Sequence, residues 1–368
     1  MSRPVVYFAV TGHGFGHAVR AASVAAALQH LNPDVLPVLV TPAPHWLLAS
    51  YLGDDFLHRP RTFDVGVVQS DSLQMDLPAT AASWQAIRDR AAQIIKSEAD
   101  FIRTNRARLV VADIPPLAGE IARAAGVPCW AIGNFGWDFI YRDWGEDFTE
   151  LVDWIAEQYA RCELLWRLPL HEAMGAFPTI RDVGLTGGIP RLSVDEARAF
   201  GLSTERDRTA LLTFGGLGLA QTPYHNLERF PDWKFITFDA NAPELPNLIR
   251  VRDRRYRPVD FMPFCERVVS KPGFSTFSEA MRLSIPIVSL TREGFAESPV
   301  LLAGLQDYSA HQIVEADEFF HGNWSFLHRS PTPARQPGAI STDGSETIAR
   351  AICEYLSTTR ASPSIHPR

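Results

Sequence analysis

The sequence predicts an α/β protein of two doubly wound domains that face each other across a cleft. Three observations carry this expectation. Short apolar runs bounded by turn residues alternate with longer helical patterns, as parallel strands with helical crossovers do. The scheme occurs twice, on either side of the glycine and proline cluster Gly184-Leu-Thr-Gly-Gly-Ile-Pro190. A length of 368 residues, 46% apolar and 21% charged, describes a globular chain long enough for two cores.

In the first half, residues 5–10, 35–40, 109–112 and 129–132 read as strands. Helical spacing fills 18–30, 81–105 and 117–125, the last stopped by Gly126 with Pro128 behind it. The second half offers strands at 210–214, 234–238, 247–251, 267–270 and 287–290. Ser193-Val-Asp-Glu196 has the form of a capping box and opens the first helix beyond the glycine cluster. The boundary therefore falls near residue 188, giving Rossmann-like domains over 1–187 and 188–356. Ser330-Pro-Thr-Pro-Ala-Arg-Gln-Pro-Gly338 reads as a loop, 346–356 as a final helix, and 357–368 as a polar, flexible tail.

A net charge of −7 lacks the basic excess that nucleic-acid binding uses, so no nucleic-acid partner is expected. No run of about 18 apolar residues predicts a transmembrane segment, which leaves peripheral contact with a membrane surface open. The N-terminus carries no secretory pattern, and a cytoplasmic protein is expected. Four scattered cysteines without a C-x-x-C pair suggest neither a disulfide framework nor a zinc site.

In such folds ligands lie outside the carboxyl ends of the strands, so the loops after strands are where chemistry belongs. Thr11-Gly-His-Gly-Phe-Gly-His-Ala-Val-Arg20 joins a strand to a helix but lacks the G-x-G-x-x-G spacing of a dinucleotide fingerprint. His17 and His13 have the residue type of a general base near neutral pH, or they cap and pack the turn. Asp113 ends a later strand on the same rim, where it either orients such a base or caps the following helix.

In the second half Thr213-Phe-Gly-Gly-Leu-Gly218 and Ser270-Lys-Pro-Gly-Phe-Ser-Thr-Phe-Ser-Glu279 each follow a strand. Gly215, Gly216, Gly218 and Gly273 would let backbone approach a diphosphate. Ser275 and Thr276 could donate to it from a helix start, and Glu279 suits a ribose diol. Asn134-Phe-Gly-Trp-Asp-Phe-Ile-Tyr141 concentrates aromatics after a strand, and either packs the core or offers Asn134, Trp137 and Asp138 to an acceptor. Gly14, Phe15 and Arg20 of the first loop join them as acceptor candidates. The run Arg250-Val-Arg-Asp-Arg-Arg-Tyr-Arg257 is either a solvated loop or an attractor of anions.

The first loop, the 134–141 segment, and Arg292-Glu-Gly-Phe-Ala-Glu297 with Pro299 resemble the glycosyltransferase-like N-terminal region of L-arabinokinases. More distantly, the pattern over most of residues 5–310 is similar to GT-B glycosyltransferases, including the N-acetylglucosaminyltransferase of lipid II synthesis and the plant UDP-glycosyltransferases. The resemblance implies that His17 is the catalytic base and Asp113 its orienter. It implies that Gly273, Thr276 and Glu279 match a Gly-x-x-Thr-x-x-Glu motif, with Thr276 on phosphate and Glu279 on ribose. Glu297 falls one residue from the position that contacts the donor sugar in the plant pattern. Arg20 replaces a proline common after the Gly-His pair, and Lys271-Pro-Gly-Phe replaces His-Cys-Gly-Trp.

The expected function is a glycosyltransferase moving a hexose-type sugar from a nucleoside diphosphate sugar, UDP-sugar first, to an acceptor hydroxyl. Inversion and metal independence follow from the likeness and from the lack of an Asp-x-Asp triad. No cofactor is expected beyond the nucleotide-sugar co-substrate, and no metal ligand is assigned. The kinase half of an arabinokinase is not seen after residue 310, so ATP-dependent phosphorylation is not expected. A non-hydrolysing nucleotide-sugar epimerase and a non-catalytic sugar-nucleotide-binding module are the alternatives.

Overall fold

A computed structural model describes residues 3–69, 75–216, 218–219 and 221–358. The expected tail lies outside the described residues from position 359 on, as does Leu217 of the second glycine loop.

The first sheet comprises β1 (Val5–Val10), β2 (Leu36–Val40), β3 (Leu57–Arg59), β4 (Ala107–Asp113), β5 (Cys129–Gly133), β6 (Leu164–Arg167) and β7 (Ile180–Asp182). Their order is β3-β2-β1-β4-β5-β6-β7, with every pairing parallel. The helices between them are α1 (Gly16–Leu31), α2 (His45–Leu52), α3 (Leu77–Asp89), α4 (Ala91–Thr104), α5 (Ala118–Ala125), α6 (Trp137–Arg142) and α7 (Thr149–Tyr159). The second sheet comprises β8 (Thr209–Thr213), β9 (Lys234–Thr237), β10 (Leu248–Arg250), β11 (Arg267–Ser270), β12 (Ile287–Leu290) and β13 (His311–Val314). It runs β10-β9-β8-β11-β12-β13, again parallel. With it go α8 (Val194–Ala199), α9 (Pro258–Phe261), α10 (Phe274–Arg282), α11 (Glu297–Tyr308), α12 (Ala316–His321) and α13 (Gly344–Thr358). This is the α/β fold of two doubly wound domains that the sequence predicts.

Strand β1 is buried along its whole length and serves two cores through its period of two. Val6, Phe8 and Val10 pack with alanines of α1, while Val5, Tyr7 and Ala9 pack with the helices on the other face. The single helix expected over 81–105 is two, α3 and α4, broken at Arg90, whose ψ of 1° leaves the helical region. A straight helix of that length would run about 38 Å, past the sheet it covers. The bend keeps Trp84 and Ile102 both in the core. Strands β3, β6, β7 and β13 were not expected. β3 and β7 are three-residue strands carrying charged or histidine side chains. β13 is His-Gln-Ile-Val, whose polar side chains are buried because His311 bonds the Ser309 carbonyl and Gln312 donates to the Phe326 and Arg329 carbonyls.

The last helix departs from the simple division of the chain. Although α13 begins within 188–356, it packs on α1 of the first sheet, and Ile348, Ile352 and Leu356 are buried in the cluster that holds the alanines of α1. Tyr355 Oη donates to the Arg108 carbonyl at 3.2 Å. The chain thus crosses between the sheets twice, and the two crossings touch: Leu185 N–H donates to the Ser341 carbonyl at 2.8 Å and Gly344 N–H to the Leu185 carbonyl at 3.0 Å. A Cβ at Gly344 would collide with the Gly184 carbonyl, so glycine is required for this approach.

Among the described residues no helix is long and apolar enough to cross a membrane.

Candidate functional site

The order of each sheet reverses beside its first strand, between β1 and β4 in one and between β8 and β11 in the other. Loops leaving these strands open at the topological switch points. The β1 loop delivers His17 and Arg20 on the first turns of α1, and β4 delivers Asp113 at its end.

His17 Nδ1 sits 2.7 Å from Asp113 Oδ1. Arg20 grips the same carboxylate with both arms of its guanidinium, Nε donating to Oδ2 at 2.6 Å and Nη2 to Oδ1 at 2.5 Å. Two donors converge on Oδ1, which places Arg20 Nη2 3.0 Å from His17 Nδ1. An ionised carboxylate only accepts, so Nδ1 carries the hydrogen and Nε2 keeps the basic lone pair. Burial alone would push the Asp113 carboxyl up; the charge and hydrogen bonds of Arg20, then those of His17, hold it below its usual range. The expected pairing of His17 with Asp113 is therefore present, with an arginine as its third member.

His13 is a different species. Its Nδ1 accepts from the Val67 N–H at 3.2 Å, so the hydrogen sits on Nε2. Burial, reinforced by the charges of His17, Lys271 and Arg292, pushes its imidazole well below the ordinary value. A neutral ring with one donor edge results. The ring stacks on Phe295 of the second domain and meets Trp137 edge-on.

Trp137, Arg20 and Asn134, expected at an acceptor, are buried to 0%, 2% and 1% exposure and turn inward. Trp137 walls the two histidines among Phe135 and Tyr141. Arg20 holds Asp113, and Asn134 accepts from Arg20 Nη1 at 2.9 Å. All three side chains thus turn toward protein partners: a polar or aromatic residue after a strand does not reveal by type whether it points in or out. Asp138 is also buried, 3.5 Å from Arg142, with its carboxyl pushed up by burial. Gly14 adopts φ +65° with open space where a Cβ would stand.

Across the cleft, Gly273 caps α10 without a side-chain bond, leaving the first N–H groups of that helix unpartnered within it. Ser275 Oγ donates to the Gly16 carbonyl at 2.7 Å, so the N-termini of α1 and α10 face each other. Phe15 lies against Gly216, where a Cβ would come within 2.5 Å of its ring, and packs edge-on against Trp46. Gly215 and Gly218 have positive φ of 79° and 64°. Thr276 lies in the first turn of α10 beside Ser275. Glu279, one turn on, is buried; it accepts from the Gly188 N–H at 3.0 Å and the Tyr51 hydroxyl at 3.1 Å, and burial pushes its carboxyl up. Glu297 opens α11 and accepts from Asn134 Nδ2 at 2.8 Å.

Four further residues join the site without having stood out in the sequence. Lys271, half-buried beside Gly215, is pushed by burial down to about 8. Arg292 lies 4.1 Å over the Phe295 ring. Asp64 is buried, accepting from Thr11 Oγ1 and from the Gly12 N–H at 3.2 Å, and Tyr51 bonds Glu279. Lys271 and Arg292 stand in segments quoted from the sequence without a role assigned to them; Asp64 and Tyr51 gave no pattern at all.

A cavity of ≈ 530 Å³ lies between α2 and the 253–256 turn, lined by Trp46, Ser50, Arg191, Arg254 and Tyr256. The arginine run is largely consumed by structure: Arg250 pairs with Glu244, Arg255 with Asp253 and Arg257 with Asp260, while Arg254 lies 5.1 Å over Trp46. A second hollow of ≈ 440 Å³, near Arg208, Trp233 and Arg267, opens at the amino ends of β8, β9 and β11, away from these loops. Among the described residues no three His, Cys, Asp or Glu side chains gather as a metal site.

No model of a known protein family matches the sequence. The L-arabinokinase of Arabidopsis thaliana is 32% identical over 339 residues, covering 89% of this chain and 32% of that protein. The chain thus spans about a third of the curated relative it matches. Among solved structures, Phytolacca americana UGT2, complexed with UDP-2fluoro-glucose and pterostilbene, superposes with a TM-score of 0.59 at 11% identity, over 99% of this chain and 96% of that one. A putative UDP-N-acetylglucosamine 2-epimerase from Listeria monocytogenes gives 0.56 at 12% identity, over 100% of both chains. The chain has the GT-B fold of these proteins, and in sequence it resembles the glycosyltransferase-like region of an L-arabinokinase.

Proposed function

We propose that the protein is a glycosyltransferase that moves a hexose-type sugar from a nucleoside diphosphate sugar, UDP-sugar first, to an acceptor hydroxyl. The carrying observation is the His17–Asp113 pair standing opposite the uncapped N-terminus of α10. His17 Nε2 removes the acceptor proton, and Asp113 stabilises the imidazolium that forms. The donor diphosphate rests on the N–H groups and hydroxyls of Ser275 and Thr276, with Gly215, Gly216, Gly218 and Gly273 allowing close approach. Lys271 adds positive charge. Fixed dipoles and cations placed where the leaving diphosphate gains charge do this work without a metal. A single displacement by the activated hydroxyl inverts the anomeric carbon.

Tyr51, which bonds Glu279, is the chain neighbour of Ser50 in the wall of the ≈ 530 Å³ cavity, and in this reading the base of a ribose at Glu279 takes that cavity, beside Trp46 and Tyr256. Glu297 approaches the donor sugar. Gly14 and Phe15 are left as the acceptor-side contacts.

Thermal-shift binding across UDP-, GDP-, dTDP- and ADP-sugars, with product analysis of every hit, tests the reading. A selective shift with slow donor hydrolysis supports it. An isomerised nucleotide sugar makes the protein an epimerase, and binding with no turnover makes it a binding module. For a turned-over donor, His17→Ala is expected to lower kcat by at least about 100-fold while donor affinity is kept. Loss of donor binding in that variant counts against the base role.

A further inference from the structure

Asn134 is placed at the end of β5, and its amide is used at both ends. Oδ1 accepts from Arg20 Nη1 at 2.9 Å, and Nδ2 donates to Glu297 Oε1 at 2.8 Å. Arg20 continues to Asp113, and Asp113 to His17. Glu297 belongs to α11 of the other domain, at a helix start where a carboxylate is favoured. One hydrogen-bonded line therefore runs from the His17 ring to a carboxylate across the cleft, and each of its five members is 8% exposed or less.

The residue types suit this line. A guanidinium only donates and a carboxylate only accepts. The group between them must accept on one side and donate on the other. An aspartate at 134 would face Glu297 with like charge, and an alanine would serve neither neighbour.

We propose that Asn134 is a positioning residue that ties the orientation of the His17–Asp113 pair to docking of the second domain. Its catalytic meaning rests on the transferase reading; the latch itself does not. With the domains docked, Glu297 fixes the amide, the amide fixes Arg20 Nη1, and Arg20 fixes both oxygens of Asp113 against His17. With the domains apart, water replaces Glu297 and the amide is free to turn. Arg20, which aligns Asp113 against His17, is then held by one partner fewer.

Hydrogen–deuterium exchange on the whole, unliganded chain reads the latch directly. Asn134→Asp is expected to raise exchange over residues 292–299 of the second domain about tenfold. Glu297→Ala should do the same, whereas Glu297→Gln, which keeps an oxygen acceptor, should stay near wild type. Asn134→Ala serves if Asn134→Asp fails to fold. Unchanged exchange over 292–299 in the Asn134 variants, or Glu297→Gln as disruptive as Glu297→Ala, overturns the proposal. With a nucleotide sugar that wild type turns over, Asn134→Asp should lower kcat about tenfold or more with donor KM held within about twofold. A kcat left at the wild-type value overturns the positioning role. Should wild type turn over no nucleotide sugar, the transferase reading fails and the exchange result still decides the latch.

Discussion

Asp113 divides its two oxygens between Arg20 and His17, and that division sets what substitution does. Arg20→Met leaves a buried carboxylate with the histidine alone and should cost about 3 kcal/mol or more, read as a lower urea midpoint. Lys271 gives a pH signature. Burial puts its ammonium at about 8 instead of 10.5, so it is charged below that pH and neutral above. Affinity for UDP is expected to fall about tenfold between about pH 7 and about pH 9, and Lys271→Met should flatten the dependence when followed by calorimetry. The sign for the empty protein is opposite. From about pH 8 to 10.5 the folded state binds fewer protons at Lys271 than the unfolded state, so this group's contribution to stability rises with pH. At this scale the sequence located His17 and Asp113, because both end or follow strands on one rim. It did not show the inward contacts of Arg20, Asn134 and Trp137, whose partners come from elements more than a hundred residues away or from the opposite domain.

Among the elements, α8 shows how local chemistry translates into structure. Ser193 Oγ accepts from the Glu196 N–H at 3.2 Å, and the Glu196 carboxylate accepts from the Ser193 N–H at 2.9 Å, as the four-residue pattern predicts. Ser193→Ala should destabilise by about 1 kcal/mol, a drop of a few degrees in calorimetry. Gly216→Ala tests contact between elements. Its Cβ would enter the Phe15 ring, so the variant is expected to keep its fold and lose donor affinity, with a shifted Phe15 environment visible by NMR. Buried strands such as β1, β2 and β5 were legible because they are continuous apolar runs. Edge strands β3 and β7 were not, since three residues carry no period and two of the three in each are polar or charged. The break between α3 and α4 escaped for a related reason: neither glycine nor proline marks it, and the extent of the sheet beneath decides where the helix turns.

For the molecule as a whole, α13 matters beyond its length. Ile348, Ile352 and Leu356 each add about 2 kcal/mol of burial, a total comparable with the net stability of a typical domain. A chain ending at residue 343 should therefore lose about 10 °C or more in Tm or be recovered insoluble, and a peptide of α13 added in trans should restore part of it. Length and the repeated strand–helix scheme predicted two domains but not that the last helix would pack on α1, because the apolar stripe of α13 does not specify which sheet it covers. The two crossings also bear on motion. Residues 184–187 and 341–345 run side by side, joined by backbone hydrogen bonds at Leu185 and Gly344. Sliding one domain past the other would stretch both bonds together, whereas turning about the line between the crossings leaves them intact. Two crossings tied side by side favour a swing of the second domain about that line over a slide past the first.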